Sequence, residues 1–206
     1  MRYVIGVDEA GRGPLAGPVA VGLVRASESF DVAREFPGVK DSKQLSPKKR
    51  EVVYALLEER AKKGDVRFVV EFESAEAIDT DGIASVIRRA IARGVDKLAS
   101  EIYGGQTSVR RSDLRVLLDG ALRAPREYSQ ETIIGGDESV PIISLASVAA
   151  KVERDRLMVE FAHTYPLYGF EQHKGYGTKA HYAALREHGL SAIHRRSFIH
   201  LDFPRE

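Results

Sequence analysis

Three short apolar runs in this chain each stop on an acid, and that repeated ending restricts the fold more than any other feature. Residues 2–7 close on Asp8-Glu9, residues 115–118 close on Asp119, and residues 132–134 close, through Gly135-Gly136, on Asp137. A short apolar run bounded by turn formers is the pattern of a strand buried on both faces. Residues 19–24 lie near enough to the first run to pair with it as a hairpin, and residues 66–72 supply another strand. Helical spacing appears between them. Ser46-Pro47 sets a cap residue before a proline at the first helical position, Val52, Val53, Leu56 and Leu57 give an apolar stripe, and Gly64 stops it. Ile83, Val86, Ile87, Ala90 and Leu98 predict a helix to about residue 99, and Leu145, Val148, Val152 and Val159 one over 144–162. Residues 25–44 show no period and read as a surface loop. Early strands followed by helix–strand alternation predict an α/β fold: a mixed central sheet of about five strands flanked by helices. Glycines and aromatics over 165–178 predict a hinge into a small helical C-terminal unit with a last helix at 179–188, giving a body over 1–165 and an extension over 166–206.

Composition removes several chemistries. The 206 residues include no cysteine, which excludes disulfides, cysteine-bound zinc or iron–sulfur clusters and thiol nucleophiles. No run approaches the roughly 18 apolar residues of a membrane span, and the apolar start is too short for a signal peptide, so the expectation is a cytoplasmic, monomeric protein with no membrane partner. The net charge of +1 hides an uneven distribution: all six histidines lie between 163 and 200, among Lys174, Lys179, Arg186, Arg195 and Arg196.

In an open α/β sheet, sites form beyond the ends of the central strands, where loops diverge. If the three acid-ended strands lie side by side, Asp8, Glu9, Asp119 and Asp137 converge. Carboxylates packed together repel one another and raise each other's pKa, so such a cluster calls for cations. Oxygen-only ligands favour Mg²⁺ or Mn²⁺ over softer metals, and two such ions suit phosphoryl transfer. The glycines of Gly11-Arg12-Gly13-Pro14 let backbone approach a ligand closely.

The stretch Asp8-Glu9-Ala10-Gly11-Arg12-Gly13-Pro14-Leu15-Ala16-Gly17-Pro18-Val19 resembles the N-terminal signature of ribonuclease HII, the type 2 ribonuclease H. The resemblance continues through Asp41-Ser42-Lys43, Leu118-Asp119-Gly120, Gly136-Asp137, Ala150-Lys151-Val152 with Arg154-Asp155, Lys174-Gly175-Tyr176-Gly177-Thr178 and His194-Arg195 with Ser197-Phe198, in order over nearly the whole chain. It implies a ribonuclease H-like fold and an endoribonuclease that cleaves the RNA strand of RNA–DNA hybrids. It also implies incision of duplex DNA 5′ of an embedded ribonucleotide, leaving 3′-hydroxyl and 5′-phosphate ends. Carried over, the metal-binding and catalytic acids are Asp8, Glu9, Asp119 and Asp137, holding two Mg²⁺ or Mn²⁺ ions. Gly11, Arg12 and Gly13 fall where the family meets the ribonucleotide 2′-hydroxyl, the group that separates RNA from DNA. Tyr176 falls where it stacks on the next sugar. Two departures stand out: Gly82 occupies a place where the family has Asn, and Glu138 adds charge beside Asp137.

Lys43, Ser147, Lys151 and Lys174 are candidate phosphate contacts, since hydroxyls and ammonium groups position a nucleic-acid backbone without reading sequence. Asp155 stands four residues after Lys151, a spacing that makes it a partner of that lysine and leaves Asp137 as the preferred fourth ligand. The histidine spacings include no close pair, against a metal cage, and His194-Arg195-Arg196 is expected against phosphate or as a cap. Leu201-Asp202-Phe203-Pro204 gives no support for a sliding-clamp partner. The alternatives are another carboxylate-dependent nuclease on the same fold, such as a proofreading exonuclease or junction resolvase, and a hybrid-binding protein without activity.

Overall fold

The computed structural model describes residues 2–39, 45–103 and 113–200. Five strands form one mixed sheet: β1 (Tyr3–Ala10), β2 (Val19–Ser27), β3 (Val66–Glu73), β4 (Leu114–Asp119) and β5 (Ser129–Ile133), in the order β3-β2-β1-β4-β5. β1 runs antiparallel to β2 and parallel to β4, and β5 continues the parallel side. The first pair is the expected hairpin. Its second strand runs on through residues 25–27, into the stretch that the sequence predicts as loop, because Val24 and Ala26 alternate inward against Arg25 and Ser27. A four-residue helix, α1 (Val32–Glu35), also forms in that stretch, capped by the Asp31 carboxylate.

α2 (Pro47–Lys63) begins on the Ser46 cap and ends at left-handed Gly64 as expected. A short helix, α3 (Ala75–Asp81), meets α4 (Ile83–Tyr103) at Gly82, whose φ of 79° explains why glycine stands there. The fifth strand covers 129–133 and not 132–134. Gln130 anchors this polar edge by hydrogen bonds to the backbone of Ala124 and Pro125, and Ile134 lies exposed beyond it.

Two apolar layers cover the sheet. α4 packs on one face through Val86, Ile87, Ala90, Ile91, Val95 and Leu98, and α6 (Pro141–Thr164) crosses the other with α2 beside it. α6 starts at Pro141, three residues earlier than its stripe suggested, because proline is preorganised for the first helical turn. It lies unusually close to the sheet at Gly6 and Gly22: a Cβ there would stand 2.4 Å from the Ile142 carbonyl and 2.1 Å from that of Ala146. That close seat aims the Ser147–Lys151 stretch at the end of β1. After α6, α7 (Phe170–His173) and α8 (Lys179–His188) build a third cluster with Phe170, Leu185 and Ile199 on Leu15, Ala16 and Met158. No helix among the described residues is long and apolar enough to cross a membrane.

Candidate active site

The register of the two central parallel strands sets the site. Val7 pairs with Leu118, so the next residues, Asp8 and Asp119, emerge from neighbouring strands at one end of the sheet. They line a pocket of about 400 Å³ with Glu9, and Ser147, Lys151 and Tyr176 reach it from α6 and the C-terminal segment. Asp8 is 5% exposed. Burial pushes its carboxyl up to about 8, Glu9 and Asp119 push in the same direction, and the Ser147 hydroxyl offsets part of the rise. Among the described residues no Lys or Arg forms an ion pair with Asp8 or Asp119; Glu9 has Arg12 at 3.3 Å.

Asp137 sits differently from its expected strand-end position. It occupies the helical turn α5 (Gly136–Ser139), is fully buried behind Asp119, and does not line the pocket. Its backbone N–H donates to Asp119 Oδ1 at 3.3 Å, and its carbonyl accepts from Ser144 Oγ at 2.6 Å. Glu138 is exposed on the same turn.

Among the described residues no three acidic or histidine side chains already enclose one point. The chemistry of the donor set nonetheless fits a hard divalent cation. Every candidate ligand is a carboxylate, and Asp8 is buried beside Glu9 and Asp119, of which Glu9 alone has a cation partner, Arg12, among the described residues. A bound cation would favour ionised Asp8 and draw the carboxylates inward.

The Gly11–Gly13 loop forms the pocket rim. Gly11 has φ of 87°, and a Cβ there would fall 1.9 Å from Arg154 Nε, so both its conformation and its surroundings require glycine. Tyr176 is 43% exposed at the junction of the pocket with a second groove of about 700 Å³ between α2 and α6, with Lys151 Nζ 5.8 Å from its ring centroid. An exposed ring beside two cavities is suited to stacking on a sugar or base.

Lys151 Nζ donates to Asp155 Oδ1 at 2.8 Å, the pairing expected from their spacing, so Asp155 holds the lysine that reaches the pocket. Lys174 lines the second groove with its ammonium on the Glu171 carbonyl. Lys43 lies outside the described residues. Arg50 lines both cavities and was not singled out in the sequence; its only signal is its place in the first turn of α2.

Of the two expectations for the C-terminal motif, the cap is the one met: Arg195 stands at the N-cap of the 3₁₀ turn Arg196–Phe198, and His194 and Arg195, 3% and 0% exposed, do not lie on the surface against phosphate. His194 belongs to a packed trio with His173 and His181, gathered in space although separated in sequence. His181 and His194 share a 3.0 Å Nε2···Nε2 hydrogen bond, and His173 stacks on His181 at 4.4 Å. Nδ1 of His194 accepts from the Ser191 N–H, so its Nε2 carries the proton given to His181, whose Nδ1–H donates to the Tyr176 carbonyl. Burial first, then the neighbouring imidazoles, lowers His194 to about 4.

A sequence model described as ribonuclease HII matches residues 5–201. The chain is similar to the curated ribonuclease HII of Endomicrobium trichonymphae, 42% identical over 196 residues, covering 95% of this chain and 84% of that one. It is similar to that of Burkholderia thailandensis, 45% identical over 197 residues, covering 96% and 83%. Its fold matches the ribonuclease HII solved in complex with PCNA from Archaeoglobus fulgidus, with a TM-score of 0.72 at 26% identity, covering 95% of this chain and 93% of that chain.

Proposed function

The chain belongs to the ribonuclease HII family of metal-dependent endoribonucleases acting on RNA–DNA hybrids, and from that premise we propose that it also incises duplex DNA 5′ of an embedded ribonucleotide. The observation that carries this reading is the single pocket in which the acids of β1 and β4 meet the Gly11–Gly13 rim and Tyr176. A reaction centre and a means of recognising the sugar beside it are thereby adjacent.

In this reading Asp8, Glu9 and Asp119 hold two Mg²⁺ or Mn²⁺ ions, with Asp137 supporting Asp119 from behind. When bound, the ions supply water activation and charge stabilisation at the leaving oxygen. The protein's own residues do the rest. Ser147 orients Asp8, Lys151 offers a phosphate contact restrained by Asp155, Lys174 extends the basic path, and Lys43 is a further proposed phosphate contact. Arg12 is close enough to Glu9 to hold it until substrate arrives. Gly11, Arg12 and Gly13 meet the ribonucleotide and Tyr176 stacks on the following sugar, so residues 166–206 act as a substrate-binding extension of the 1–165 body.

The test is a duplex carrying one ribonucleotide, incubated with Mg²⁺ or Mn²⁺ and resolved by end mapping. Incision on the 5′ side with 3′-hydroxyl and 5′-phosphate ends is expected. Cleavage of hybrids alone, with the single-ribonucleotide duplex intact under both metals, would remove the finer activity.

A further inference from the structure

Two arginines are buried beneath the Gly11–Pro18 loop, and each is 0% exposed. Neither forms a salt bridge to a carboxylate among the described residues; both are spent on backbone carbonyls. Arg154 donates through Nε to Pro18 O at 2.9 Å, through Nη1 to Lys174 O at 3.1 Å and through Nη2 to Ala16 O at 3.2 Å. Arg195 donates through Nε to Gly17 O at 2.9 Å, through Nη1 to Arg12 O at 2.9 Å and through Nη2 to Gly11 O at 2.7 Å. A buried guanidinium is costly unless its donors are satisfied, so a carbonyl on each of its three nitrogens fixes the loop closely.

The last two of those bonds have a stereochemical consequence. In a trans peptide the C=O and the following N–H point in opposite directions. In extended chain successive carbonyls also alternate. Here the carbonyls of Gly11 and Arg12 both turn inward to one guanidinium. The N–H groups of Arg12 and Gly13 must therefore both turn away from that guanidinium, and the residues that carry them line the pocket. Neither N–H has an acceptor among the described residues. Successive N–H groups on one side of the chain form a concave donor pair for an anionic or hydroxyl oxygen, and two buried positive charges lie directly behind it. Burial and the neighbouring Arg154 lower Arg195 to about 9, which leaves it charged at neutral pH.

We propose that Arg195 is a specificity-positioning residue: by holding the Gly11 and Arg12 carbonyls it presents the Arg12 and Gly13 N–H groups as a paired donor to the sugar hydroxyl and phosphate oxygens of the ribonucleotide. This rests on the functional reading above and assigns its selectivity to a side chain that never touches substrate. The Nε bond to Gly17 anchors the C-terminal segment and is the purely structural part of the same residue's work.

Arg195→Lys keeps the charge but cannot span three carbonyls. Affinity for a single-ribonucleotide duplex relative to the all-DNA duplex, measured in Ca²⁺, should fall about tenfold or more in Arg195→Lys and Arg195→Gln. Melting temperature measured alongside reports the structural role alone. An unchanged ratio in folded variants would overturn the proposal. If neither variant folds, amide hydrogen exchange on the wild-type protein decides: Arg12 and Gly13 should exchange freely alone and become protected by the ribonucleotide duplex but not by its all-DNA counterpart. Equal protection by both duplexes, or none by either, would also overturn it. A wild type with no preference between the duplexes would instead overturn the functional reading.

Discussion

The sheet carries two groups of buried acids treated in opposite ways. On β3, Glu71 and Glu73 are 6% and 7% exposed, and both are claimed by cations of α4: Arg93 Nε donates to Glu71 Oε2 at 2.9 Å, Lys97 takes its other oxygen, and Arg89 grips Glu73 through two nitrogens at 3.1 and 2.8 Å. Burial works to raise these carboxyls, yet the Lys97, Arg93 and Arg89 bonds outweigh it and hold both below the ordinary carboxylate range. At the C-terminal ends of β1 and β4, burial meets no such answer, and Asp8 rises to about 8. The same residue chemistry is thus structural where the protein supplies the countercharge and available for metal where it does not. The cost is local instability accepted at a functional site.

The largest expected contrast comes from neutralising one member of each group. Asp119→Asn should lower Mn²⁺-dependent hybrid cleavage by about a thousandfold or more without lowering the melting temperature, since it removes charge from an uncompensated cluster. Glu73→Gln should do the reverse. It should lower the melting temperature by roughly 3–8 °C through a broken buried ion network while keeping cleavage within a few-fold. Matching effects from the two changes would erase the distinction.

Next in size is the choice between Asp137 and Asp155. Asp137→Asn, beside Asp119, should cost about a hundredfold in cleavage rate, whereas Asp155→Asn, which only restrains Lys151, should cost less than about tenfold. Near-normal rates in Asp137→Asn would remove its proposed support of Asp119.

Parts of this comparison are legible in the sequence and parts are not. Apolar runs ending on Asp8-Glu9 and Asp119 announce central strands and their site, because burial on both faces leaves an unbroken apolar signature. β5 begins at Ser129, ahead of its apolar signal, because an edge strand such as Ser129-Gln130-Glu131 needs no apolar face. Asp137 was read as a strand-end acid, but its helical turn depends on the left-handed Gly135 that precedes it. Arg154, Arg195 and the histidine trio were invisible for another reason: a polar side chain is buried only when distant carbonyls meet it, and no local period encodes that meeting.

A smaller effect should appear at Asp8. Asp8→Asn should raise the stability of the metal-free protein at pH 7, on the order of 1 kcal/mol, because it removes a carboxyl disfavoured in its charged form by folding. Chemical denaturation in EDTA would measure it, and a destabilised variant would mean the Asp8 charge is compensated after all.

The smallest expected effect lies in the C-terminal unit, where no buried side-chain nitrogen or oxygen among the described residues lacks a partner. His194 is held near 4, below its unfolded value of about 6.5. Its contribution to stability is therefore present above about pH 6.5 and declines as pH falls toward 4, because the unfolded chain takes up the proton first. Hydrogen exchange of α8 and residues 190–199 should quicken between pH 7 and 5 relative to the sheet. Uniform behaviour of the two regions would show that the trio does not set the unit's acid sensitivity.

The central claim, that Asp8 and Asp119 lack a countercharge which divalent metal provides, is tested most directly by thermal unfolding with added Mn²⁺. The wild-type melting temperature should climb with Mn²⁺ concentration as ligand linkage requires, and Asp119→Asn should show little or no climb. A wild type indifferent to Mn²⁺, or an equal rise in both proteins, would contradict it.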